Sequence, residues 1–469
     1  MLTSPTAMWG LFFIYLYEEV FMHPPHLYQL KHFLILFFPL LLTQIAQVGT
    51  PVFASIFSGQ YSTIDLAGVA VGSNIWYPIF AGMCGIFFGI SPILSQLRGA
   101  KKTDQIPPYI QQSFYIILLL TVFIFILGYF FVDSFLGIMR LDPQVHTIAH
   151  NYLIAIGCGI FPTFAVATMR YITDAHGMTQ VSMAILFVNL ILTILLFRLF
   201  VFGGFGFAPM GGVGTGIAIT TAAWITMFLF MALFQWYEPF KSYHIWKNVP
   251  KPDIALIIEQ LRIGIPIFIA VFCETSLFSI IGLLMSEFGT LYLAANQAAI
   301  SYATLVYVFP WSISLAATIV IGYEVGARNG TAARQYAVIC QGTAFAIVCV
   351  TALVTYLFLQ PISAMFTSDI DTLRSISYFL TLAIVFSFCD AGGTPVQGIL
   401  RGYKDVKVIT YVSFVTYWVI SIPMGIAIAH LTPLGPYGYW YALIIALGIN
   451  AVALNTRLWK KTAWMTFIK

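Results

Sequence analysis

A helix needs about 20 predominantly apolar residues to cross a bilayer. Twelve such runs stand in this chain, at roughly 33–57, 66–96, 109–132, 147–170, 180–202, 213–236, 262–285, 293–324, 332–358, 374–400, 406–430 and 436–456. Short polar or Gly/Pro-rich turns separate them. The pattern predicts an all-α membrane protein of twelve transmembrane helices. The longest connection, 237–261, is also the most polar, and it leaves six spans on either side. The expected organisation is an N-terminal extension (1–30), an N-lobe (31–236), a cytoplasmic linker (237–261) and a C-lobe (262–469). Within the extension, residues 8–17 are apolar but too short to span, and Glu18 and Glu19 follow them. That piece lacks the basic start and small-residue cleavage site of a signal peptide. We read Met22 as the true start and residues 1–21 as an added segment.

The two halves repeat. Pro39 and Pro266 stand 227 positions apart, as do Leu66-Ala67 and Leu293-Ala294, and Gly99-Ala100-Lys101 and Gly326-Ala327-Arg328. Later, Arg170-x-x-x-Asp174 answers Arg401-x-x-x-Asp405 at an offset of 231. Six spans per copy is an even number, so both copies point the same way. The expected architecture is two six-helix lobes related by a pseudo-two-fold axis along the membrane normal. Transporters place substrate between such repeats, near the midplane.

Composition agrees with the pattern: 60% of residues are apolar and 8% charged, against about 25% charged in a soluble domain. With the N-terminus placed in the cytoplasm, all but Arg140, Arg198 and Arg374 of the 21 Lys and Arg fall on the inside. The positive-inside rule then puts both termini in the cytoplasm. The net charge of +4 comes from these one-sided loops and needs no nucleic-acid partner. The six cysteines all lie in apolar runs without Cys-x-x-Cys spacing, and read as small buried hydrophobes. The eight histidines lie at span ends or in loops, which argues against a histidine proton relay inside the membrane.

Of 17 Asp and Glu, two sit deep inside spans: Glu274, halfway between Arg262 and Met285, and Asp390, about ten residues from the cytoplasmic end of the tenth span. A charge at the bilayer centre costs roughly 2.5–3.5 kcal/mol on insertion scales. The sequence offers no basic residue at comparable depth. The counter-charge is therefore expected from outside, as a proton, a metal ion or a cationic solute. Protonated acids serving only as packing polars are the weaker reading, because structure rarely requires two of them. The repeat sharpens the contrast: Glu274 stands 227 positions after Gln47, so the ionisable group belongs to the second half alone.

The neighbourhood of Asp390 is Asp390-Ala391-Gly392-Gly393-Thr394-Pro395. Two glycines weaken the helix by about 1 kcal/mol each. Pro395 has no N–H for the Ala391 carbonyl. A carboxylate beside a bare carbonyl suits a hard cation such as Na+, and an ordinary proline kink is the alternative. Phe386 lies one turn before Asp390 and shares its face. On the eighth span Tyr307 and Trp311 flank Pro310, and Gln297 and Ser301 form a polar stripe one turn long. Aromatic faces attract cations by about 0.5–2 kcal/mol.

On these residues the chain resembles the multidrug and toxic compound extrusion (MATE) family, in its NorM-like bacterial branch. The resemblance covers nearly everything after about residue 30. It is carried by Ala67 to Lys101, by the glycine-rich 204–216, by Phe272-Cys273-Glu274, by Gly398-Ile399-Leu400-Arg401-Gly402-Tyr403-Lys404-Asp405, by Tyr417-Trp418 with Pro423, and by Gly435-Pro436-Tyr437-Gly438-Tyr439-Trp440. It implies a two-lobed, twelve-helix antiporter exporting cationic amphiphilic compounds against Na+ or H+. A monomer in the bacterial plasma membrane is the expected form. The resemblance further implies a cation site of Glu274, Tyr307 and Asp390, with Na+ held by the two acids, and a substrate contact at Gln297. Phe386, Ser301 and Gln47 join Gln297 as expected substrate-binding positions. Apart from the coupling ion, no cofactor is expected. Two departures stand out: a first-span aspartate of many relatives aligns with Ala54, and a tenth-span tyrosine of some relatives with Phe386. Both leave the second lobe as the coupling site and favour sodium.

A lipid-linked saccharide flippase shares the two-lobed plan but needs a basic cavity, whereas the cavity charge here is acidic. An enzyme needs a nucleophile with its base or a metal cluster, and the sequence holds no His-Glu-x-x-His or Gly-x-Ser-x-Gly. A passive channel is harder to exclude by residues alone, though no filter-like repeat is present, and counterflow in proteoliposomes separates carrier from channel.

Overall fold

A computed structural model describes residues 24–139, 141–204, 206–247, 250–367 and 369–465. The reading of Met22 and residues 1–21 concerns residues outside these. In chain order the helices are α1 (Pro24–Tyr61), α2 (Thr63–Phe88), α3 (Ile90–Gly99), α4 (Ile106–Ile138), α5 (Pro143–Gly157), α6 (Ile160–Ala175), α7 (Thr179–Phe202) and α8 (Gly211–Trp236). There follow α9 (Ile254–Met285), α10 (Thr290–Gly326), α11 (Gly330–Leu357), α12 (Leu359–Ala364), α13 (Ile370–Gly402), α14 (Val406–Phe414), α15 (Ile422–Leu431) and α16 (Tyr437–Met465). Between α14 and α15, Val415–Ser421 forms a widened π turn.

Among the described residues, eleven stretches are long and apolar enough to cross a membrane, and α5 with α6 makes a twelfth that is bent by 52°. The fourth span, expected as one run over 147–170, is broken because Pro162 has no N–H to give the Cys158 carbonyl. The Trp224 indole donates to that carbonyl instead, at 3.2 Å. The Thr220 hydroxyl likewise donates to the Ala155 carbonyl, at 2.7 Å. α4 shows how such a chain faces lipid. It turns Leu118, Leu119, Val122, Phe123, Ile126 and Phe130 outward. Two cysteines expected to be buried, Cys158 and Cys349, are also exposed.

The described residues form two compact units, one of residues 24–41 and 272–465, the other of residues 42–271. They are not the two chain halves: residues 31–41 of the first half group with the second, and 262–271 of the second group with the first. Within unit one, the start of α1 is tied to α11. Gln29 donates to Gln335 at 2.7 Å, and His32 meets the Tyr336 hydroxyl at 2.9 Å. Within unit two, the start of α9 lies against α2 so closely that a Cβ on Gly264 would stand 2.5 Å from the Ile86 carbonyl oxygen.

The 237–261 connection is folded onto unit two. Tyr115 donates to the Pro250 carbonyl at 2.8 Å, Gln111 to the Ile245 carbonyl at 2.9 Å, and Tyr109 to Glu259 at 2.6 Å. Phe240 is fully buried and sits edge-on to His176. Burial pushes His176 down to about 3, so the ring is neutral. Its Nδ1 donates to the Ile172 carbonyl at 2.7 Å, which leaves Nε2 to accept from the Tyr243 hydroxyl at 3.2 Å. A histidine depressed in the folded state contributes stability that is full above its unfolded value of 6.5 and is lost as pH falls toward 3. Limited proteolysis of 241–247 should therefore run on the order of tenfold faster at pH 5 than at pH 7.5. A rate unaffected by pH would remove His176 as the clasp.

Candidate functional site

The site lies within unit one, on helices that the sequence bends or weakens. α9 supplies Glu274, partly buried. α10, with Pro310 inside it, supplies Tyr307, whose hydroxyl is hydrogen-bonded to the Glu274 carboxyl. α13, with Pro395 inside it, supplies Asp390, which is 5% exposed and close enough to Glu274 for their charges to interact. The Thr394 hydroxyl donates to Asp390 Oδ1 at 2.6 Å. Pro395 does not open α13 into a loop. The Asn455 amide donates to the Gly392 carbonyl at 2.8 Å and helps to hold the weakened turn.

Beside these groups is a cavity of about 10 Å³, lined by Tyr307, Ser387, Asp390, Phe386, Thr351 and Val348 among others. That is room for about one water-sized guest. A dehydrated small cation fits such a space and a drug-sized molecule does not. Its lining is mostly apolar, with Tyr307, Thr351, Ser387 and Asp390 as the polar members, and the Ser387 and Thr351 hydroxyls donate to the Ala383 and Val348 carbonyls of their own helices. Among the described residues no group of three or more His, Cys, Asp or Glu is arranged to hold a metal ion.

Four of the expected residues thus come together: Glu274, Tyr307 and Asp390 through their charges and hydrogen bonds, and Phe386 as wall. Phe386 is 4% exposed and packs against Phe278 and Trp440 at 5.9 and 6.0 Å. Gln297 and Ser301 are exposed on α10, outside the cavity lining. Ser301 donates to the Gln297 carbonyl of its own helix, at 2.8 Å. Gln47 belongs to unit two, where it is exposed. Ala54, at the position of the relatives' aspartate, packs in an apolar cluster with Phe197, Phe200 and Ala218.

Sequence reasoning missed three neighbours. Thr394 was visible as the residue one turn after Asp390. Tyr417 is buried on the π turn, and its ring lies near enough to couple with both acids. Pro423, two residues after that turn, was its signal, since proline commonly forces such a distortion. The third is Arg401, counted as a loop residue but fully buried, with its guanidinium 5.2 Å over the Trp311 ring.

A family model for MatE matches this chain twice, over residues 39–199 and 266–427. The two matches begin 227 residues apart, the offset read from the sequence. A protein of Bacillus cereus described as a probable multidrug resistance protein NorM is 39% identical over 432 residues, which is 92% of this chain and 95% of that one. A protein of Bacillus subtilis with the same description is 40% identical over the same length and shares. Among solved structures, an outward-facing multidrug resistance MATE family transporter of the MOP superfamily superposes with a TM-score of 0.84 at 19% identity. The match covers 93% of this chain and 97% of that one. The eukaryotic MATE transporter AtDTX14 superposes with a TM-score of 0.83 at 18% identity, over 93% and 98%.

Proposed function

The chain belongs to the MatE family, and from that premise we propose that it is a multidrug efflux antiporter, exporting cationic amphiphilic compounds in exchange for Na+ or H+. The observation that supports the ion half of this reading is the meeting of Glu274, Tyr307 and the buried Asp390 within one unit, beside a cavity with room for about one water-sized guest. The relatives described as multidrug resistance proteins support the other half. The positive loops support a plasma-membrane protein with both termini in the cytoplasm.

Exchange follows from competition. With the site open to the outside, the gradient loads Glu274 and Asp390 with the small cation, and the bound drug cation loses its electrostatic partner. With the site open to the cytoplasm, the ion leaves and the bare carboxylates favour a new organic cation, whose apolar part rests on aromatic faces. Linkage makes the displacement reciprocal: an ion that weakens drug binding tenfold, about 1.4 kcal/mol, is itself weakened tenfold by the drug.

Efflux of a fluorescent organic cation from vesicles, with the sodium and pH gradients imposed separately, tests this. We expect efflux under one of the two gradients and counterflow of labelled substrate without either. Efflux that ignores both gradients, or absence of counterflow, would overturn the antiporter reading in favour of a passive pore.

A further inference from the structure

α16 carries two asparagines, and each reaches a turn that stands beside the acids. Asn455 donates to the Gly392 carbonyl and to the Ala451 carbonyl of its own helix, both at 2.8 Å. Asn450, 2% exposed, donates from Nδ2 to the Thr416 hydroxyl at 3.1 Å. Thr416 is equally buried and passes its own hydrogen to the Val412 carbonyl at 2.7 Å. The amide oxygen of Asn450 lies against Gly393, where a Cβ would stand 3.5 Å from it. One side chain thus meets both the weak turn after Asp390 and the π turn that carries Tyr417.

A buried amide costs free energy unless its hydrogen bonds are made, so packing alone would be served as well by an apolar residue at this crossing. A π turn persists where its surroundings fix it, and such turns collect at functional sites. Among the described residues, the side-chain polar groups of Ser413, Trp418 and Ser421 along this turn meet no hydrogen-bond partner. That leaves the Thr416–Asn450 bond to tie the turn to a neighbouring helix. The next residue is Tyr417, 3% exposed, whose ring lies near enough to couple with both acids. Rewinding the π turn to an α turn shifts its register by one residue, about 100° around the axis. A shift of that size carries the Tyr417 ring away from the carboxyls.

We propose that Asn450 is a positioning residue of the ion site: it pins the π turn at Thr416 while resting on the turn after Asp390, keeps Tyr417 beside the acids, and so sets how tightly the coupling ion is held. This rests on the ion-coupling reading above. Asn450 acts through Tyr417 and is not itself an ion ligand.

The test is binding of radiolabelled Na+ to the purified full chain, with a thermal scan of each protein. The proteins are the wild type, Asn450→Ala, Thr416→Val, Thr416→Ser, the pair Asn450→Ala with Thr416→Val, and Tyr417→Leu with and without Asn450→Ala. We expect half-saturating Na+ to rise on the order of tenfold in Asn450→Ala and in Thr416→Val. The pair should rise no further, because both changes break one bond. Thr416→Ser keeps the hydroxyl and should bind as wild type does. In the Tyr417→Leu protein, adding Asn450→Ala should change Na+ binding no more. A residue that only holds the fold would lower the melting temperature and leave half-saturation of the surviving protein where it was. Thr416→Val keeps the shape of the side chain, so it reports even where Asn450→Ala does not fold. If the wild type is driven by protons instead, the pH of half-maximal efflux is read in the same variants and should move by about 1 unit. The titratable and charged groups around the acids in that case are Tyr307 from α10, Cys273 from α9, Cys389 and Arg401 from α13, and Tyr417 itself. An unchanged midpoint in Thr416→Val, or a shift from Asn450→Ala that persists undiminished without Tyr417, overturns the proposal and leaves the antiporter reading standing. A wild type that responds to neither ion overturns both.

Discussion

Glu274→Gln is expected to lower ion-driven efflux at least tenfold while leaving the protein inserted and folded. The substitution removes a charge and keeps a shape. The Tyr307 hydroxyl, now bonded to the carboxyl, can donate to the amide oxygen just as well. Neutralising a midspan acid also relieves roughly 2.5–3.5 kcal/mol of insertion cost, so expression should hold or rise. What disappears is the differential affinity by which the small cation displaces the organic one; a tenfold displacement corresponds to about 1.4 kcal/mol. Asp390→Asn should behave alike, since the Thr394 hydroxyl can still donate to Oδ1 as it does now at 2.6 Å. Drug binding without a gradient should weaken more modestly, because the aromatic contacts remain. Wild-type efflux rates in both variants, measured in vesicles of equal protein content, would sink the competition scheme.

The apolar runs made the helices legible, because hydrocarbon leaves helix as the only way for a single chain segment to satisfy its own backbone. The repeat was legible as a constant offset, and the acids as deep charges with no neighbour in sequence. The grouping of helix ends into compact units was not legible. Residues 31–41 and 262–271 lie in the half of the sequence opposite to the unit they join, and hydropathy carries no information about which partner an apolar face chooses. Nor was the bend between α5 and α6 read from Pro162; the Cys158 carbonyl it leaves unpaired in the helix is met by Trp224, 66 residues on in sequence. Arg401 was misplaced for a related reason. Counted as a loop residue at a span end, it lies in the interior because Trp311, Gln397 and Ser314 form a seat that only the packing of α10 on α13 assembles. One hint was present: Ser387, Asp390, Thr394, Gln397 and Arg401 fall at alternating steps of three and four, a buried polar stripe along one face of α13.

Gly398→Ala should cost about 3 kcal/mol and abolish most of the monodisperse protein recovered in mild detergent, the largest stability effect expected of any single methyl group here. A Cβ at residue 398 would stand 2.1 Å from the Ser314 carbonyl oxygen and 2.6 Å from its Cα, contacts that no real Cβ makes. Both atoms are backbone, so no rotamer change can make room. α10 and α13 would have to separate, and the same crossing is held by the Thr318 hydroxyl, which donates to the Gly398 carbonyl at 3.0 Å. One turn on, Gly402 repeats the close approach against Ile321 and Gly322, the small-xxx-small pattern by which membrane helices pack without a hydrophobic drive between them. Gly282→Ala is the control. Nothing lies within 4 Å of its added methyl, and alanine in a helix interior gains about 0.5–1 kcal/mol over glycine. Because α10 carries Tyr307 and α13 carries Asp390, any Gly398→Ala protein that survives with its helices spread should also have lost the one-water cavity. Its Na+ binding should then weaken. A Gly398→Ala protein as stable as wild type in a thermal scan would mean that this crossing is not packed backbone to backbone, and with it would go the fixed position of Arg401.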